Sequence, residues 1–208
     1  MSLYYYDDYI IQGGTIDGTI IGETTPAAGT FTDLSGNIKD YKTLYAEEGL
    51  DHASTPPEAA SILTSTHKVV VRNFAGTTAN EILYFSWQPP YDLTGGTITF
   101  RPICFVTNAT APADSETIIF TLEGASIGDS DLLSSALGTA VASTFTADAT
   151  YAQYDRLAGA WSSAITITDL AAGETVLLEL IRDQGTDTYA QDIGLWAIEI
   201  KFSRTLAN

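Results

Sequence analysis

Ser126 stands in Gly124-Ala125-Ser126-Ile127-Gly128, the G-x-S-x-G spacing that presents a serine hydroxyl on a sharp turn for attack on a carbonyl. Such a serine needs a base within hydrogen-bond reach, and in folds built on that turn the histidine follows the serine in the chain. The two histidines here, His52 and His67, both precede it. The segment therefore reads as a glycine-flanked turn, and no residue is assigned a catalytic role. The single cysteine, Cys104, lies in the apolar run Ile103-Cys104-Phe105-Val106, where burial raises a thiol pKa and quiets it. One Cys and two His are too few for a zinc centre at ligand spacing. No G-x-x-x-x-G-K-[ST] or G-x-G-x-x-G run offers a phosphate cradle. The 26 acidic residues allow any carboxylate pair to be nominated for glycoside hydrolysis, so abundance singles out none.

Asp129-Ser130-Asp131 and Asp183-Gln184-Gly185-Thr186-Asp187 have the composition of short calcium loops. They lack the twelve-residue pattern that ends in Glu, and a helix cap and a hairpin turn account for them. No metal or other cofactor is assigned; calcium is left open with nothing to support it. Asn108-Ala109-Thr110 fits a glycosylation sequon, which has meaning only for a secreted chain. Trp161 and Tyr91, expected on loops, are candidates for stacking on sugar rings. Tyr4, Tyr5, Tyr6 and Tyr9 crowd the first nine residues, and such a cluster joins apolar area to hydrogen-bonding tips, as docking surfaces do.

The net charge of −17 and pI of about 4.1 repel phosphate backbones and anionic lipid, which argues against nucleic-acid partners. No run of 18 apolar residues suggests a membrane span, and the N-terminus lacks the pattern of a secretory leader. Synthesis in the cytoplasm is the expectation.

Strands must position these residues. Charged side chains make up only 17% of the 208 residues, and Thr, Ala, Ser and Gly fill the gap, as in short strands joined by tight turns. Lys68–Phe74 reads as a strand, and Glu81–Gln88 as another with Leu83, Phe85 and Trp87 on one face. Pro89-Pro90-Tyr91-Asp92 and Gly95-Gly96 mark a turn. Thr97–Arg101 begins a strand that should bend at Pro102 and continue through Val106. Thr117–Glu123 alternates with Ile118, Phe120 and Leu122 inward. Asp129–Gly138 carries helix start and stop signals for about two turns. Strand-like stretches follow near 139–146, 150–156 and 163–168. Thr175–Arg182, apolar on both faces, suits a central strand, and Gly194–Arg204 places Trp196, Ile198, Ile200 and Phe202 together. This gives about eight or nine strands, the pattern of an all-β, jelly-roll-like antiparallel sandwich.

Residues 1–50 differ. Glycine recurs through Gly13, Gly14, Gly18 and Gly22, separating short extended pieces around Ile16 and Ile20, and Pro26 and Phe31 continue the pattern. Such material cannot build its own core and needs a neighbour. Over 37–50, Ile38, Tyr41, Leu44 and Tyr45 have the spacing of a short helix or connector. The Pro56-Pro57 pair makes 51–66 a linker, leaving 67–208 as the sandwich and 1–50 as an extended anchoring or oligomerisation segment.

The run from Gly13-Gly14-Thr15-Ile16-Asp17-Gly18-Thr19-Ile20-Ile21-Gly22 through Thr25-Pro26-Ala27-Ala28-Gly29-Thr30-Phe31-Thr32-Asp33-Leu34 resembles a motif of phage virion appendage proteins. Phe120–Gly124, Leu137–Ala140 and Leu178–Asp183 with the last strand are similar to a domain of uncharacterised phage proteins. The resemblance implies a structural protein of the virion surface that assembles as a homotrimer. Its anchoring residues would be Tyr4, Tyr5, Tyr6, Tyr9, Gly13, Gly14, Ile16, Gly18, Ile20, Gly22, Pro26 and Phe31. It implies the major capsid protein or another virion protein as partner, and no catalytic residues. The short chain favours a capsid-decorating protein, head fibre or spike. The alternative is a short tail fibre or adhesin that binds host surface polysaccharide through Trp161 or Tyr91.

Overall fold

The computed structural model describes residues 37–77, 80–133, 136–148 and 150–205. Among them are twelve strands: β1 Asn37–Tyr45, β2 Leu50–Asp51, β3 Glu58–Leu63, β4 Lys68–Phe74, β5 Ile82–Trp87, β6 Leu93–Phe105, β7 Thr117–Ile127, β8 Val141–Thr146, β9 Arg156–Ala158, β10 Ile165–Thr166, β11 Thr175–Arg182 and β12 Ile193–Thr205. They form two antiparallel sheets. One has seven strands in the order β10-β6-β12-β4-β3, with β1 also on β12 and β9 also on β6; the other runs β2-β5-β11-β7-β8. The pairing is nested: β4 with β12, β5 with β11, β6 with β9 and β10, β7 with β8. A long hairpin wound in this way around a shared core is a jelly roll.

The alternation expected from sequence builds the core. Leu83, Phe85 and Trp87, then Ile118, Phe120 and Leu122, then Val176, Leu178 and Leu180 point inward from the five-stranded sheet and are buried. Ile198, Ile200 and Phe202 meet them from β12. Phe74 packs edge-on against Phe120 with centroids 5.1 Å apart, and Trp87 lies 5.0 Å from Phe202. These ring pairs couple the two sheets beyond simple area burial.

Four local expectations give way to different structure. First, residues 37–45 and 58–63 belong to the seven-stranded sheet rather than to an anchor and a linker. β1 pairs with β12 from Asn37↔Thr205 to Tyr45↔Ala197, and β3 pairs with β4 from Glu58↔Asn73 to Leu63↔Lys68. The helix-like spacing in β1 is overridden because the central strand offers a full edge to pair with. Pro56 and Pro57 precede β3 and so interrupt no ladder. The unit that holds the sheets begins at Ser35, short of residue 50. Second, no helix forms among the described residues of 129–138. Asp129 and Ser130 make a turn with Ser130 at φ 73°, and Asp131 Oδ2 accepts from the Gly128 amide at 2.8 Å. Short polar side chains that bond to nearby backbone compete with the helix they would cap.

β6 runs through Pro102 to Phe105, as its sequence leads one to expect. Pro102 faces Ile198, beside a register shift between Leu195 and Ala197 of β12, and proline is tolerated in a sheet next to such an irregularity. Third, the same bulge moves Trp196 off the inward row: its ring lies against Tyr45 and Phe105 instead. Fourth, the strand expected at 150–156 is mostly a turn around Gln153 and Tyr154, and β9 starts at Arg156. Tyr154 takes φ 75°, which ends extended pairing there.

Arg204 closes the far end of the sheet. It donates to Asp40 at 2.7 Å and to both oxygens of Asp92 at 2.8 Å, joining β1 to the turn before β6. Its guanidinium holds both carboxyls below the usual carboxylate range.

Candidate functional site

The outer face of the seven-stranded sheet carries an unusual side-chain set for a solvent-facing surface. In β1, Leu44 points to the core, so Tyr41, Thr43 and Tyr45 face outward. Tyr41 sits opposite Lys201 and Thr43 opposite Glu199. Trp161, on the connection from β9 to β10, lies over these strands with its ring 5.8 Å from Tyr41. The Arg101 guanidinium is 4.7 Å and the Lys201 ammonium 4.4 Å from the same ring. Arg101 donates to Glu199 at 2.6 Å. Further along, Tyr45 lies 5.4 Å from Trp196, which lies 6.1 Å from Phe105. Phe105 lines a largely apolar cavity of about 330 Å³ with Ile62, Val69, His67 and Tyr154.

Charge follows the same division. Lys39 and Lys42 lie on β1, Lys68 and Arg72 on β4, Arg101 on β6, Arg156 on β9, Lys201 and Arg204 on β12, so eight of the nine cations belong to this sheet. The ninth, Arg182 on β11, is fully buried. The outer face of the five-stranded sheet bears carboxylates instead. Glu179 stands directly opposite both Tyr84 and Glu123. Burial raises the Glu123 pKa, and the facing Glu179 charge adds to it; burial and the bond to Glu179 raise that of Tyr84. Facing carboxylates are the parts of a glycosidase pair, yet the cavities lined by Tyr91, Tyr151 and Tyr154 contain neither Glu.

The raised Glu123 pKa has a definite sign. The folded state holds that proton more tightly than the unfolded chain, so the penalty grows as pH rises through the carboxylate range and is complete above it. Glu123→Gln should therefore stabilise the fold at neutral pH by roughly 0.2–1 kcal/mol. The gain should vanish below about pH 4, where glutamate is protonated in both states. Urea midpoints at the two pH values check this, and an equal shift at both would rule out the charge explanation.

Tyr91 lies elsewhere, at the turn entering β6. It lines a cavity of about 380 Å³ with Ile127, Gly128, Asp129, Ala172, Gly173, Glu174 and Thr175. Trp161 does not reach this cavity, so the two expected sugar-stacking residues are not brought together. Ser126 is buried, and its hydroxyl donates to Glu174 Oε2 at 2.9 Å. Asp183 accepts from the Thr186 hydroxyl at 2.7 Å, bracing the turn after β11. Cys104 is buried, its thiol pushed up to about 12 by desolvation. Among the described residues no group of three or more His, Cys, Asp or Glu is placed to hold a metal. Tyr4, Tyr5, Tyr6, Tyr9, Gly13, Gly14, Ile16, Gly18, Ile20, Gly22, Pro26 and Phe31 lie outside the described residues.

Sequence reasoning did not anticipate Tyr41, Tyr45, Trp196 and Phe105 as one surface, nor Glu174 beside Tyr91. Tyr41 and Tyr45 did carry a signal, being even-spaced and so on one face of any strand.

No protein-family model matches the chain, and neither does any curated protein. Among solved structures, the chain is similar to the CBM36-1 domain of a multidomain xylanase from the hindgut metagenome of Trinervitermes trinervoides. The identity is 12% over 77% of this chain and 96% of that one, with a TM-score of 0.39. It is also similar to Eiger TNF from S. frugiperda at 12% identity, over 81% of this chain and 87% of that one, with a TM-score of 0.28.

Proposed function

We propose that this protein is a non-enzymatic structural component of a phage particle that works as a homotrimer. It decorates the capsid or forms a head fibre or spike. The glycine-rich N-terminal stretch attaches it to the major capsid protein or another virion protein, and the jelly roll stands outward.

One observation carries the self-association: the outer face of the seven-stranded sheet gathers Tyr41, Tyr45, Trp161 and Trp196 together with Lys201 and Arg101. Large rings beside cations are the material of buried interface centres. The occupant that fits is a second copy of this chain. Away from this sheet a copy carries no exposed cation among the described residues, so its remaining surface is acidic and complementary to the face. Two such faces packed on each other would oppose like charges, whereas a face packed on the acidic flank of the next copy would not. Heterologous contacts of that kind make a ring when the rotation closes, and a trimer is the small ring the sequence resemblance implies.

Light scattering of the full chain tests this. Three times the chain mass of 22.2 kDa is expected, and a monomer at every concentration would overturn it. Attachment is tested separately by removing residues 1–34, which stops short of β1. The shortened chain should stay trimeric and lose co-sedimentation with phage heads; unchanged co-sedimentation would refute the anchoring role.

A further inference from the structure

We infer that the cavity beside Tyr91 is a binding site for a neutral polysaccharide, independent of the structural role proposed above. Tyr91 is 87% exposed, on a backbone that is held in place. Pro89 and Pro90 stiffen its turn, which the Leu93 amide closes on the Pro90 carbonyl at 3.0 Å. Its ring edge lies against Gly173, where an added Cβ would come within 2.6 Å of the ring and where the backbone takes φ 78°. Gln88 Nε2 donates to the Gly173 carbonyl at 3.2 Å and fixes that loop from the other side. The result is an aromatic plate carried on a fixed turn, so the backbone need not be ordered on binding.

Glu174, which lines the same cavity, is tied rather than free. Ser126 Oγ, on a buried residue, holds Oε2 at 2.9 Å. Oε1 rests over Gly128, where a Cβ would stand 2.5 Å from it. A carboxylate so fixed accepts hydroxyl hydrogens at a defined place. An aromatic plate and a tied acceptor lining one cavity of about 380 Å³ suit a pyranose ring, its C–H face on the ring and its hydroxyls on the acceptor. Glu174 and Asp129 line the cavity and no Lys or Arg does, so uronic or sulfated sugars are repelled.

Native affinity electrophoresis of the full chain through dextran, glycogen, galactomannan and alginate tests the site. Retardation is expected in at least one neutral polymer and not in alginate. Tyr91→Ala should weaken the retarding affinity at least tenfold and Glu174→Gln several-fold, while Tyr91→Phe, which keeps the plate, stays within about twofold. Circular dichroism matched to the parent shows that the variants fold. Retardation in none of the neutral polymers, retardation only in alginate, or retardation indifferent to Tyr91→Ala would each overturn the inference. A trimer that binds no sugar would leave the structural role standing.

Discussion

Arg182→Met is expected to destabilise the fold by about 3–5 kcal/mol, seen as a lowered guanidinium midpoint with an unchanged slope. Arg182 is fully buried at the end of β11, and its Nε donates to Asp187 at 2.8 Å, whose side chain is itself 2% exposed. The other nitrogens donate to the backbone carbonyls of Phe74 at 3.0 Å, Gln191 at 2.9 Å and Tyr189 at 2.5 Å. One side chain of the five-stranded sheet thus binds the end of β4 and the approach to β12, closing the sandwich at that end. Gln184 adds a bond to the Ala75 carbonyl. Methionine fills similar volume but leaves a buried carboxylate and three carbonyls without partners, and each orphan bears its full desolvation cost. Tyr189 belongs to the same plug: it is 1% exposed, donates to the Thr110 carbonyl at 2.6 Å, and burial pushes its phenol up to about 12. Replacing Asp187 with Leu in the Met variant should recover part of the loss, because the uncompensated charge goes with it. A loss below about 1 kcal/mol for Arg182→Met would mean that water reaches the site and the network is not structural.

Arg182 also shows how far a sequence can be read. The alternation Val176, Leu178, Leu180 points the next even position, Arg182, inward, whereas its charge points it outward. Only the carbonyls contributed by Phe74, Tyr189 and Gln191, distant in sequence or on irregular backbone, resolve the conflict. The jelly roll itself was legible because β5, β7 and β11 keep an uninterrupted period of two. Legibility failed where a local device changed that period. The extra residue at Trp196 turned its ring outward, and the Asp131 carboxylate replaced a helical turn with its own bond. β1 and β3 were missed for another reason: strands at a sheet margin bury few residues, so mixed charge in β1 and Pro56-Pro57 before β3 outweighed their weak alternation. The aromatic face was hidden by the same errors, since Tyr41 and Tyr45 become neighbours of Trp161 and Trp196 only when β1 is a strand on β12.

That face supplies the second large effect. Tyr41→Ala and Tyr45→Ala should each cost about 2 kcal/mol of association, roughly thirtyfold in dissociation constant, if they sit at the centre of an interface. Their exposures of 58% and 41% mean that little folding stability is lost with them, so light scattering and melting temperature separate the two consequences. Lys201→Glu decides the geometry. In a ring, Lys201 faces the acidic flank of the next copy, and reversing its charge introduces repulsion and weakens assembly. In a two-fold pair of like faces, Lys201 meets a cationic copy of its own surface, and the same reversal relieves repulsion and tightens assembly. Added salt should follow the same sign, weakening a ring and strengthening a face-to-face pair, because screening removes whichever interaction dominates. A parent oligomer that loosens with salt and with Lys201→Glu is the expected result. One that tightens with both would replace the ring with a dimer, and one indifferent to Tyr41→Ala and Tyr45→Ala would remove this sheet from the interface altogether.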